Sequence, residues 1–140
     1  MSDRLARMYY PVLRTIVRQW GGRLSPAERA VLHFINERTL RYGKSVEFIP
    51  LNQFVYGIQD SEGKSIVTGA GVKRNTARAA IQSLVKMGLV SHQLVVKNGS
   101  NSGSRMAIVV PNVLAVGEEV DRYIGEARQV RPRRRRTPSE

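Results

Sequence analysis

Residues 63–117 form a run of 55 with seven Lys or Arg and not one Asp or Glu. Within it, residues 71–90 read GVKRNTARAAIQSLVKMGLV. At 100° per residue, Ala77, Ala80, Ile81, Leu84 and Met87 fall on one side of a helix and must face a core. Asn75, Arg78, Ala79, Gln82, Ser83 and Lys86 fall on the other side, while Lys73, Arg74 and Thr76 complete a basic, polar leading turn. Gly88 is the expected left-handed terminator. A short helix of this kind is built to face a polyanion. The plainer alternative is an amphipathic helix with a solvated polar face, which the acid-free surroundings and the β-rich segment that follows both disfavour.

The polar side offers specific chemistry. Arg suits guanine, and Asn or Gln suits adenine, because each pairs with its base edge through two hydrogen bonds. Small Ala79 and Ser83 are expected to let the backbone approach a groove, and the helix N-terminus presents amides and a positive dipole end to a phosphate. Residues 89–97 and 105–110 are β-rich and flank NGSNSGS, which predicts a hairpin with a long flexible tip. Lys97, Asn98, Ser100, Asn101 and Arg105 are expected to follow the backbone or minor groove of a duplex from that tip; its alternative is a plain surface turn. The last ten residues carry Arg131, Arg133, Arg134, Arg135 and Arg136. They are read as sequence-independent phosphate contacts or as Arg inserted into a narrow minor groove, against simple solubilisation.

Composition narrows the class further. The net charge is +12; the last ten residues hold five Arg and one Glu, so +8 remains on residues 1–130. A basic body without its tail favours a nucleic-acid partner over an anionic membrane or a merely solvated surface. With no cysteine, disulfides, thiolate zinc sites and Cys nucleophiles are excluded, and two His cannot form a three-His metal site. No cofactor, metal or enzymatic activity is expected. No apolar run approaches the ~18 residues of a membrane span, and residues 1–10, MSDRLARMYY, lack a secretory apolar stretch. The expectation is a cytoplasmic, nucleoid-associated protein with no membrane partner.

The rest of the chain supplies the frame. Residues 2–20 place Leu5, Met8, Tyr9, Val12, Leu13, Ile16, Val17 and Trp20 at helical spacing, with Pro11 either kinking the helix or standing near its start. Residues 1–22 are therefore expected as an amphipathic helix that joins a homodimer or another partner, or docks on the same chain's own core. Ser25-Pro26-Ala27-Glu28 predicts a capping box opening a helix that runs to about Tyr42-Gly43. Residues 46–49 read as a short strand, 51–56 as a short helix, and 59–71 as a loop with Ile66-Val67 packed. Residues 117–128 predict a last amphipathic helix, and 129–140 a basic disordered tail. The body spans residues 23–128.

The order is that of an α+β, mostly helical, winged helix-turn-helix domain with an extra N-terminal helix and a C-terminal helix. SPAERAVLHFINERTLRYGKSVEFIPLNQF, followed by GVKRNTARAAIQSLVKMGLV, resembles the N-terminal winged-helix domain of phage replication proteins of the O type, and is similar to plasmid initiators and helix-turn-helix regulators. The resemblance covers about half the chain. Its most specific stretch, RNTARAAIQSLVKMGLV, recurs in many winged-helix regulators and names a fold better than a pathway. It implies double-stranded DNA as partner, a site at a replication origin or else a promoter, and contact with replication or transcription machinery. No separate helicase-recruiting region is expected here. An RNA-binding or nucleoprotein-assembly factor is the remaining alternative.

Other motifs carry less. Gly63-Lys64-Ser65 imitates the end of a phosphate-binding loop, but Ile58 stands where its first Gly belongs, and Glu62 would repel phosphate. Glu118, Glu119 and Asp121 complement a helix dipole. His33 is expected to pair with Glu37, and His92 to be structural or phosphate-facing.

Overall fold

Pro11 decides the shape of the N-terminus. The computed structural model of the chain describes residues 3–97 and 100–115. The single helix expected over residues 2–20 is divided into α1 (Asp3–Ala6), α2 (Tyr9–Thr15) and a π-helical turn (Ile16–Trp20). Pro11 lies in the first turn of α2, where its missing amide would have had no partner within the helix. Val12, Ile16 and Trp20 are buried, and the Trp20 indole donates to the Val113 carbonyl at 2.7 Å. The apolar stripe that suggests a dimer helix thus packs on the same chain: Leu5 and Met8 lie against the core that Val12, Ile16 and Trp20 join.

The capping box forms as the sequence predicts. Ser25 Oγ accepts from the Glu28 amide at 3.1 Å, and the Ser25 amide donates to Glu28 Oε1 at 2.7 Å. Helix α3 (Pro26–Arg38) stops earlier than expected; a 3-10 turn (Leu40–Tyr42) carries the chain to left-handed Gly43. Strand β1 (Glu47–Ile49) ends at Pro50, the N-cap of α4 (Leu51–Tyr56).

Residues 59–67, expected within a loop, instead belong to a small hairpin of β2 (Ile58–Gln59) and β3 (Ser65–Val67). Its turn is organised by Asp60, whose Oδ1 accepts from the amides of Glu62 and Lys64 at 2.9 and 2.8 Å. Those amides are the groups a phosphate-binding loop would offer its ligand. Val67 packs against the core while Ile66 is exposed. Gly57 is required where the hairpin returns past α4: its φ is +76°, and a Cβ there would lie 2.1 Å from the Val67 carbonyl oxygen.

Helix α5 (Arg74–Lys86) ends in a Schellman motif. The Leu89 amide donates to the Leu84 carbonyl and the Gly88 amide to that of Val85, both at 3.0 Å, with Gly88 at φ +76°. Strands β4 (Val90–Lys97) and β5 (Ser100–Ile108) follow, then α6 (Val110–Leu114), a short helix that begins at the last residue of the expected strand. The three-stranded antiparallel sheet has the order β1-β5-β4. The helix expected over residues 117–128 and the tail from residue 129 lie outside the described residues.

One core joins these elements into an α+β domain. Val31, Leu32 and Ile35 of α3 meet Phe54 of α4, Ala77, Ile81 and Leu84 of α5, and Ile49 and Met106 of the sheet. The Phe34 and Phe54 rings meet at a 45° tilt with centroids 4.9 Å apart. Among the described residues, no helix is long and apolar enough to cross a membrane.

Candidate nucleic-acid interface

Helix α5 presents the polar row that its sequence predicts. Ala77, Ala80, Ile81, Leu84 and Met87 are buried, while Lys73, Arg74, Asn75, Thr76, Arg78, Gln82 and Lys86 are exposed. Lys73 caps the helix through its backbone alone, so no side chain occupies the amides of the first turn. None of these cations meets an acid among the described residues, where ion pairs join Arg41 to Glu37 and Lys44 to Glu47. Ser83 departs from expectation. It is buried and its hydroxyl donates to Glu28 Oε2, so it ties α5 to α3 and does not open the helix to a groove.

The leading half of α5 forms one wall of a groove of about 600 Å³, with α4 and the β4–β5 hairpin as the others. Arg74, Arg78 and Gln82 line the helix side, Asn52 the α4 side, and His92 and Leu94 the sheet side. Arg74 donates to Asn52 Oδ1, which holds its guanidinium along the groove edge. The sheet wall follows from strand alternation. Val90, His92 and Leu94 share one face; Val90 is buried in the core, whereas His92 and Leu94 run past its edge and are exposed. Leu94, 55% exposed, gives that wall an apolar element among polar ones.

Asn52 and Leu94 are participants that sequence reasoning does not single out, and His92, expected to be structural or phosphate-facing, stands on the groove wall. Two-residue alternation counted outward from core residue Val90 reaches His92 and Leu94, so that signal was present in the strand itself. Asn52 carries no such signal, because its role depends on how α4 packs beside α5.

The hairpin is longer and tighter than expected. Pairing runs as far as Lys97 opposite Ser100, with a bulge between Val95 and Val96. Ser100 and Asn101 are therefore strand residues and not part of a loop, because backbone ladder bonds do not require apolar side chains. Arg105 is mid-strand, opposite Gln93 and Phe48. Its neighbours Ser104 and Met106 are buried, so alternation turns exposed Arg105 to the sheet face away from α5. It neither brackets the tip nor joins the groove. Asn98 and the tail residues Arg131, Arg133, Arg134, Arg135 and Arg136 lie outside the described residues. No family model, curated protein or solved structure matches the chain.

Proposed function

We propose that this chain is a winged helix-turn-helix protein that binds duplex DNA in a sequence-specific way, with α5 as the recognition helix and the β4–β5 hairpin as the wing. The observation that carries this reading is the acid-free row Arg74, Arg78 and Gln82 on the wall of a groove faced by the hairpin. An α-helix with its side chains is about 10–12 Å wide, which suits the ~12 Å major groove. The order α3, β1, α4, α5, β4, β5, with the β2–β3 hairpin inserted between α4 and α5 and β1 paired to β5, supports the same reading.

In this arrangement Lys73, Lys86 and the first-turn amides of α5 fix the helix on the phosphates. Asn75, Arg78 and Gln82 read base edges, and Arg74, steadied by Asn52, does so at the groove edge. The tail arginines add phosphate contacts. The role is that of a phage or plasmid factor at a replication origin, which extends the sequence resemblance; control of a promoter is the alternative.

Selection of bound fragments from a parent or host genome, followed by competition among duplex DNA, duplex RNA and single strands, tests this reading. Enrichment of a defined duplex DNA site that resists the other competitors supports it. A site within origin repeats assigns replication, and one across a promoter assigns regulation. Competition by single strands or duplex RNA as effective as that by duplex DNA would contradict the reading.

A further inference from the structure

A second cation-rich face lies on the N-terminal helices. Residues 4–27 contain five Arg and no acid. Arg4, Arg7, Arg14 and Arg18 are all exposed and have no acidic partner among the described residues. On α2 and the π-helical turn, Tyr10, Arg14, Val17 and Arg18 recur at helical spacing on the side opposite Val12 and Ile16. Tyr10 and Val17, 65% and 59% exposed, interleave apolar surface with the cations.

This face and the α5 face look in different directions. Helix α5 is tied to α3 at Glu28 through Ser83, whereas α2 is tied to it at Glu37, which accepts from the Tyr9 hydroxyl at 2.7 Å. Glu28 and Glu37 are nine residues apart, two and a half helical turns, and Asn36, which donates to the Tyr9 carbonyl, stands about 80° around α3 from Glu28, so α2 and α5 meet different sides of α3.

We propose that the Arg7, Arg14 and Arg18 face is a second polyanion-binding surface, with which one molecule holds a second nucleic-acid duplex while α5 holds the first. The inference rests on the duplex-DNA reading of α5. A lipid surface fits this face less well: an interfacial helix inserts a broad apolar side, and here that side is already buried in the protein's own core. A phosphate backbone needs only spaced cations and tolerates the isolated Tyr10 and Val17.

The test uses the full chain on an immobilised duplex that carries the selected site, with a labelled second duplex in solution, across a salt series. The comparison is with a variant carrying Arg7→Gln, Arg14→Gln and Arg18→Gln, all three exposed and outside the α5 site. The wild type should capture the second duplex. In the variant, the log–log salt slope of that capture should flatten by about 2.7, for three lost phosphate contacts, while affinity and slope for the immobilised site stay unchanged. Equal capture by both proteins overturns the inference, since it assigns bridging to the tail or to self-association. Wild type that binds the first duplex but captures no second one overturns it as well and leaves the α5 reading intact. Failure to bind even the first duplex brings down both. If phosphatidylserine vesicles bind the wild type and lose the variant while capture is unaffected, the face belongs to anionic lipid and not to nucleic acid.

Discussion

At the scale of single residues, the contact that orients α5 is the hydrogen bond from Ser83 to Glu28, made across 55 positions of sequence. Glu28 is buried and also closes the capping box of α3, so one carboxylate serves two helices. Ser83→Ala leaves a buried carboxylate oxygen without that donor, and stability should fall by ~1–3 kcal/mol in urea unfolding. An unchanged midpoint would mean that the bond contributes nothing. His33 gives a pH prediction. Burial, reinforced by the nearby Arg29 cation, pulls its pKa below the ordinary 6.5, and its Nδ1 has no hydrogen-bond partner among the described residues. The unfolded chain therefore takes up a proton at a higher pH than the folded one. Stability should decline as pH falls below about 6.5 and level off once pH passes below the depressed folded value. His33→Gln should remove that part of the decline; an identical pH profile in the variant would assign it to other groups.

Among the elements, α5 depends most on its terminator. Gly88 closes the Schellman motif at φ +76°, where a Cβ meets the following carbonyl. Gly88→Ala should lower stability by ~1–2 kcal/mol, read as a shifted denaturation midpoint; a neutral substitution would show that the turn relaxes freely. Helix α5 and the capping box of α3 were legible in the sequence because both are local signals: a 3.6-residue apolar period, a Gly stop, and a Ser-x-x-Glu pair. The β2–β3 hairpin was not, because its strands are two and three residues long and its turn is organised by Asp60 and not by an apolar pattern. The extent of the β4–β5 hairpin was hidden by a polar composition in which Ser100 and Asn101 look like loop residues. The inward turn of Ser83 had no local sign at all, since Glu28 alone distinguishes it from a surface serine. For the N-terminal segment the apolar stripe was legible except at Val17, which is exposed, and periodicity did not choose between a partner and this chain's own core, on which it packs.

Across the whole molecule, charge and geometry make separable contributions to the proposed binding. The tail supplies +4 of the +12 net charge. Truncation after Val130 should weaken binding to selected and scrambled DNA by similar factors and reduce the salt slope by ~2–4, while site preference survives. An unchanged slope would show that the tail does not touch DNA. Specificity should instead reside on α5, which is the central claim. Its most direct test is the affinity of Arg74→Ala and Arg78→Ala proteins for the selected duplex site and for a scrambled duplex. Each substitution should cost ~1–3 kcal/mol on the selected site and less on the scrambled one. Equal losses on both duplexes would reduce the two residues to phosphate contacts, and no loss on either would contradict the assignment of α5 as the recognition helix.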